Sequence, residues 1–411
     1  MNFIFNRYSA LSWFIKSYLI ILGIAILSLG LAISVPPRPF GIPITYLPCI
    51  LIVSYFLCFP KIPKIIKKEL STFMLFWLFS VFTNIGNISN IKTFVLFSIM
   101  YLVYIIIFIH GIKVTKTTII KLISSYIWII FFASLISLIC YFFGLLKDPN
   151  IMSLFSINRN NFVFLVCIAT MIQFFLTISK PTIKNTCFIS IFLLTIIFLI
   201  SRTAYIAVIG SIFLFFKSSL TSHVILDKTF KKRLKKVIFF SVVLISMTIA
   251  ISPTFQSRIT SASEIIQILG TKQLNNSQLG GRRQLLMLAH LNLFFQHPLT
   301  GVGIGQSNNK LNKSSLGTSI GSSHNTQIRI LAENGIIGFI LLSIFYWMIF
   351  KKLRKNYQFD EYSLGFYYGY INLLILSFGN EYFLTNPMIW VFISLGYSYS
   401  LNVSYEKNTH H

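Results

Sequence analysis

The chain has 411 residues, of which 55% are hydrophobic and 11% charged, and its formal net charge is +26. Windows of about 20 apolar residues, the length that crosses a bilayer, recur from end to end and exclude a soluble globular protein. A topology signal and attraction to anionic headgroups explain most of the positive charge, so we expect membrane lipids as partners and no nucleic acid.

The apolar runs predict an all-α polytopic membrane protein with about twelve transmembrane helices. The predicted spans are roughly 14–35, 42–60, 70–86, 92–110, 120–144, 161–179, 185–200, 203–217, 237–252, 334–350, 364–379 and 386–401. Residues 1–252 therefore hold the first nine helices, and residues 334–411 hold the last three with a tail. Residues 253–333 between them form one large, partly helical loop.

Lys and Arg collect in alternate loops, as the rule for cytoplasmic positive charge requires. On our assignment, 23 of the 35 basic residues fall on one side, in short loops, and 12 fall on the other, mostly in the long loop. Both termini are therefore predicted to be cytoplasmic, and residues 253–333 are predicted to face outward.

Arg202 is the first polar residue of interest, in the stretch Leu199-Ile200-Ser201-Arg202-Thr203-Ala204 between two apolar runs. An arginine at membrane depth is costly unless it is paired or faces water. Because carboxylates are scarce on the outward side, a phosphate-bearing ligand fits as its counterion. The alternative is that the side chain only snorkels to the membrane interface.

The outward loop carries Arg282 and Arg283 at the start of an apolar pattern with helical spacing, which predicts an amphipathic helix ending at His297-Pro298. Those two arginines have an alternative interpretation as solvated loop charges. Three alternate glycines follow, Gly301, Gly303 and Gly305, and they permit a tight backbone in close approach to other groups. They follow a helix rather than a strand, so dinucleotide binding is rejected.

His324 and Asn325 follow a serine-rich stretch. Either Ser322 or Ser323 is predicted to cap a helix over about 324–333, which Gly335 would end. His324 would then lie in the first turn, where the helix dipole favours a neutral imidazole that can accept a proton. The alternative is a loop histidine that only bonds to its surroundings. The outward loop has no Asp-x-Asp pair or His/carboxylate cluster, so neither a catalytic metal nor a cofactor is expected.

These motifs together resemble the O-antigen ligase and polymerase superfamily of bacterial envelope glycosyltransferases. The resemblance rests on the Ser-Arg-Thr turn at 201–203, the Gly-x-Arg stretch at 281–283, the His-Pro-Leu-x-Gly-x-Gly segment at 297–303, and His324-Asn325 followed after nine residues by Gly-x-x-Gly. The sequence departs from the pattern at two adjacent positions. Phe339 and Ile340 stand where ligases often carry small hydroxyl residues, which leaves the choice between ligase and polymerase open.

The resemblance implies a GT-C-like, metal-independent, inverting transferase in the bacterial inner membrane with a periplasmic active site. Its donor would be a glycan linked to undecaprenyl pyrophosphate. The acceptor would be a lipid A-core sugar in a ligase, the function we expect, or a second carrier-linked glycan in a polymerase. An alternative from another class is a flippase or transporter for lipid-linked sugars.

The resemblance also assigns roles to individual residues. Arg202 and Arg283 would bind the pyrophosphate, with Arg282 able to substitute, and His324 would be the essential histidine. Glu381 falls where related ligases carry an acidic residue, and we expect it to be the second catalytic group. Loop shaping falls to Gly301, Gly303, Gly305 and Asn325.

Overall fold

The computed structural model describes residues 67–83, 105, 108–109, 114–142, 159–199, 201–221, 239, 281–313, 323–358, 360–379 and 387–409. All regular secondary structure in these ranges is α-helical. The helices are α1 (Lys67–Phe82), α2 (Lys116–Phe142), α3 (Arg159–Ser179), α4 (Ile183–Phe198), α5 (Arg202–Thr221), α6 (Gly281–Gln296), α7 (Ser307–Lys313), α8 (Thr326–Asn356), α9 (Glu361–Ser377) and α10 (Pro387–Thr409).

Three of the described helices are long and apolar enough to cross a membrane: α2 over Lys116–Cys140, α3 over Phe162–Ser179, and α8 over Thr326–Asn356. This confirms the prediction of a helical membrane protein. Eight predicted spans coincide with α1 to α5 and α8 to α10. The predicted spans 14–35, 42–60, 92–110 and 237–252 lie wholly or largely outside the described residues, so the count of twelve remains a prediction.

Helix α3 lies at the centre of one group of helices, and its residues from Phe162 to Phe175 are all buried. It packs most extensively against α9. Glycine allows that approach, since a Cβ on Gly365 would lie 3.1 Å from the Cα of Ile172. Small residues at helix contacts are the usual means of close packing in membranes, where the lipid offers no hydrophobic drive for association.

Helix α8 organises a second group with α1, α6 and α10, and α9 contacts both groups. Aromatic side chains fill the centre of the second group. The ring of Phe73 on α1 lies 4.8 Å from that of Phe345 on α8 and 5.0 Å from that of Trp390 on α10, measured between centroids. Trp390 is fully buried.

Polar contacts tie several helix ends together at one end of the bundle. Lys116 at the start of α2 forms an ion pair of 2.8 Å with Glu406 on α10. Tyr399 of α10 donates to Asp360, the N-cap of α9, at 2.6 Å, and Asn356 at the end of α8 donates to Ser400. The starts of α5 and α8 and the end of α9 lie away from this network and build the site below.

Candidate active site

Helix α8 is interrupted at Gly335, whose φ of 61° and ψ of −169° are not helical. In a continuous helix, each N–H donates to the carbonyl four residues earlier. The N–H groups of Ile336 and Ile337 would therefore bond to the carbonyls of Ala332 and Glu333. The break separates these four groups, and in an apolar environment each needs another partner.

Residues 297–305, which we call the glycine segment, supply all four partners. The N–H groups of Ile336 and Ile337 donate to the carbonyls of Pro298 and Leu299, at 2.8 and 3.4 Å. In return, the carbonyls of Ala332 and Glu333 accept from the N–H groups of Val302 and Gly303, both at 2.8 Å. The segment that follows α6 thus completes the helix break in α8.

Glycine is needed on both sides of this contact. A Cβ on Gly301 would overlap the carbonyl group of Glu333, and a Cβ on Gly335 would overlap the carbonyl group of Leu299. Gly301, Gly303 and Gly305 all have positive φ, at 69°, 104° and 70°, a region that side chains disfavour. The predicted tight backbone and close approach of the glycine segment are therefore confirmed.

A buried polar cluster lies beside the break. Glu333 is 3% exposed, and its Oε1 accepts a 3.1 Å bond from Nε of Arg329 and a 2.7 Å bond from the hydroxyl of Ser307. We call these three residues the Glu333 cluster. No role for these three residues was predicted from the sequence, although an Arg and a Glu four residues apart on one helix are a recognisable pairing signal.

His324 lies immediately before α8 rather than in its first turn. Its φ is 53°, in the left-handed region that few residues other than glycine adopt and that often marks functional positions. The helix cap is Asn325, whose side chain accepts from the N–H of Ile328 at 3.0 Å. The predicted serine cap is therefore wrong. Ser323 instead donates its hydroxyl to the Asn325 carbonyl at 3.0 Å.

Helix α8 consists of two helical parts that meet at a kink at Gly335, so the predicted break at this glycine is confirmed. It begins at Thr326, within the sequence assigned to the outward loop, and continues to Asn356. The boundary placed between residues 333 and 334 lies next to this kink. The glycine segment holds the two parts of this helix together.

Three turns meet directly after α9: the Phe378-Gly379 turn itself, the turn that precedes α8 at His324-Asn325, and the turn that begins α5. The side-chain amide of Asn325 donates to the Phe378 carbonyl at 2.9 Å. A Cβ on Gly379 would overlap the side chain of Thr203, the second residue of α5. The backbone of His324 and the backbone of Arg202 are therefore brought to the same end of the bundle, each next to a residue that contacts this dipeptide.

The remaining predicted site residues are located only by their backbone or by sequence. Arg202 is the first residue of α5, and Arg282 and Arg283 lie in the first turn of α6, which packs against α8. The side chains of these arginines and the whole of Glu381 lie outside the described part of the chain. Within the described ranges, no group of three or more His, Cys, Asp or Glu side chains could hold a metal ion.

A cavity of about 750 Å³ lies between α5, α8 and α9. At one end it is lined by residues next to His324 and Asn325, namely Thr326, Gln327, Ser377 and Phe378. Apolar side chains of α8 line most of its length as far as Phe350, with Lys217 of α5 also in the lining. The cavity is therefore a mostly apolar groove, and one end of it lies beside the three turns.

Residues 187–343 match a family model described as O-antigen ligase. This match supports the resemblance to the O-antigen ligase and polymerase superfamily. The match includes Arg202, Arg282, Arg283, the glycine segment and His324, but it ends before Glu381. No curated protein matches the chain.

The match supports, in broad terms, a glycosyltransferase-like or ligase-type enzyme of the membrane that is associated with O-antigen and lipopolysaccharide biosynthesis. The superfamily acts on a lipid-linked glycan and an acceptor. In this chain, the segments that carried the sequence resemblance correspond to the helix break, the glycine segment that completes it, and the turns at Phe378-Gly379.

Proposed function

We propose that the protein is an O-antigen ligase of the bacterial inner membrane, with its active site on the periplasmic face and both termini cytoplasmic. It transfers a polysaccharide from undecaprenyl pyrophosphate to a sugar of the lipid A core. The observation that carries this proposal is the meeting of two motif turns at Phe378-Gly379. One turn begins α5 at Arg202 and the other carries His324.

The proposed reaction is a single displacement at the anomeric carbon. A bond forms from the acceptor hydroxyl oxygen to this carbon as the bond to the pyrophosphate oxygen breaks, which inverts the configuration. The imidazole of His324 accepts the hydroxyl proton, with Glu381 as the second candidate base. Undecaprenyl pyrophosphate leaves with the bonding electrons, and the guanidinium groups of Arg202 and Arg283 stabilise its charge, with Arg282 able to substitute.

The apolar groove between α5, α8 and α9 supports a donor with a long hydrocarbon tail. Its lining on α8 extends from Thr326 to Phe350, and the 24 steps between these residues, at about 1.5 Å each, correspond to at most roughly 35 Å because the kink at Gly335 shortens the path. That length is close to the thickness of a bilayer. A tail in this groove would place the pyrophosphate at the end where Thr326 and Phe378 lie, beside His324.

The test uses purified protein, a lipid-linked glycan donor and core lipid A. His324→Ala should abolish transfer while donor binding and thermal unfolding remain near wild type, because the imidazole acts on the acceptor proton. His223→Ala is the control, since the charge pattern places His223 on the cytoplasmic side. Full glycan transfer by His324→Ala would contradict the proposal. If that variant kept full transfer but lost transport of lipid-linked sugar, the flippase or transporter alternative would be favoured.

A polymerase of the same superfamily is the second candidate, and Phe339 is the observation that favours it. Phe339 and Ile340 replace the small hydroxyl residues common in ligases, and Phe339 lines the groove. Both candidates use the same chemistry and differ in their acceptor. Modified core lipid A identifies a ligase, whereas lengthened carrier-linked glycan without modified core identifies a polymerase.

A further inference from the structure

The Glu333 cluster joins two parts of the site that are distant in sequence. Ser307 begins α7 two residues after the glycine segment ends, and its hydroxyl donates to the Glu333 carboxylate at 2.7 Å. The main-chain carbonyl of the same glutamate accepts from the N–H of Gly303 at 2.8 Å. One residue of α8 therefore binds both the middle of the glycine segment and the residue two positions beyond its end.

The cluster is built entirely from buried groups. Ser307 is fully buried, Glu333 is 3% exposed and Arg329 is 9% exposed. Desolvation makes a buried ion pair a poor source of stability, and apolar residues of similar size often stabilise the same site as well or better. A buried charge that also accepts a bond from a neighbouring segment has a further use, which is to fix the geometry between the two segments.

The two segments carry different proposed parts of the site. Helix α6, with Arg282 and Arg283 in its first turn, runs directly into the glycine segment. The first turns of α8 follow His324 and carry both Arg329 and Glu333. The position of α6 relative to His324 therefore depends on the direct packing of α6 against α8 and on how the glycine segment is held against α8.

We infer that Glu333 is a positioning residue: with Arg329 and Ser307, it fixes the arginine-bearing helix α6 relative to His324. This inference rests on the proposed glycan transfer. Displacement of reacting groups by about 1 Å can lower a rate on the order of a hundredfold. Loosening the cluster should accordingly lower kcat more than it raises the KM for the donor, because the binding groups themselves are unchanged.

Ser307→Ala is the sharpest test, since it removes the hydrogen bond from the Ser307 hydroxyl to the Glu333 carboxylate and leaves the Arg329–Glu333 ion pair in place. Glu333→Gln is the second variant, which keeps a hydrogen-bond acceptor and removes the charge. Ser398→Ala is the matched control. Ser398 lies on helix α10, is also fully buried, and donates its hydroxyl to the distant carbonyl of Val114. Transfer kinetics and amide hydrogen exchange at residues 301–303 and 336–337 are measured for each variant.

Ser307→Ala should lower kcat at least about tenfold with less than about threefold change in the KM for the donor, and should accelerate exchange at those amides. Ser398→Ala should stay within about twofold of wild type in kcat. Wild-type kcat in Ser307→Ala, with or without faster exchange, would overturn the inference while leaving the proposed function intact. Absence of transfer by the wild-type protein would instead remove the proposed function and this inference with it.

Discussion

Gly335→Ala tests the contact between the glycine segment and α8 directly. The added methyl group would overlap the carbonyl group of Leu299 and lie 2.6 Å from the N–H nitrogen of Thr300. Alanine at φ 61° and ψ −169° also adopts a conformation that strains a residue with a Cβ by about 1–3 kcal/mol. Backbone atoms cannot rotate away as a side chain can, so we expect the segment to be displaced.

Displacement breaks the four backbone hydrogen bonds that complete the helix break. At about 0.5–1.5 kcal/mol for each bond, their loss lowers the free energy of unfolding by roughly 2–6 kcal/mol. The higher part of that range applies if the freed groups stay buried without water. Transfer activity should fall with stability, since α6 and the start of α8 would lose their common attachment.

The assay is thermal unfolding in detergent, combined with amide hydrogen exchange at residues 336 and 337. Gly210→Ala is the control, because a Cβ on Gly210 would meet only a side-chain methyl group of Ile375, at an ordinary 3.4 Å. The control should unfold near the wild-type temperature. Wild-type stability and exchange in Gly335→Ala would refute the view that backbone contact with Leu299 requires glycine at this position.

Two further substitutions probe the surroundings of the break. Arg329→Met should lower the free energy of unfolding by about 3–5 kcal/mol because the Glu333 charge stays buried without this ion pair. Adding Glu333→Leu to that variant should restore most of the lost stability. Chemical denaturation measures both variants, and no recovery of stability in the double variant would contradict this account. Gly379→Ala should push Thr203 aside and disturb the start of α5. We therefore expect this variant to bind the donor more weakly in a direct titration. An unchanged affinity for the donor would show that the α5 turn does not contribute to the donor site.

The sequence predicted those parts of the site that depend on local pattern. Apolar spacing predicted an amphipathic helix from Arg282 to His297, and α6 spans Gly281–Gln296. Alternate glycines predicted close approach of the backbone, but no local rule indicated that the approach would be to a break in α8. That partner lies about 30 residues further along the chain. It is determined by the backbone groups that the break at Gly335 leaves without helical hydrogen bonds.

The helix cap shows why the rest could not be predicted. Serine and asparagine are similarly good caps, so local preference did not separate Ser323 from Asn325. The structure favours Asn325 because its amide has two functions. Its oxygen accepts from Ile328 while its nitrogen donates to Phe378, 53 residues away. A contact over that separation decides the cap, and the prediction considered only the neighbouring residues.

The last prediction concerns the donor tail and its binding in the groove. Ser343 lines the groove on α8, whereas the next residue, Ile344, is 44% exposed and is not among the lining residues. A tryptophan at 343 would fill part of a cavity of about 750 Å³, and Ser343→Trp should raise the KM for the long-chain donor at least about tenfold because binding of the tail is lost. Ile344→Trp adds the same side chain one position away and should leave the KM near wild type.

Donor tail length separates blockage of the groove from general damage to the fold. A donor with the same glycan pyrophosphate but a tail of two or three isoprene units would reach only the end of the groove near Thr326, so Ser343→Trp and wild type should use it equally well. Equal loss with both donors would mean that the substitution harms the active site itself. No loss with either donor would mean that the tail binds elsewhere, and the assignment of this groove to the lipid carrier would then be wrong.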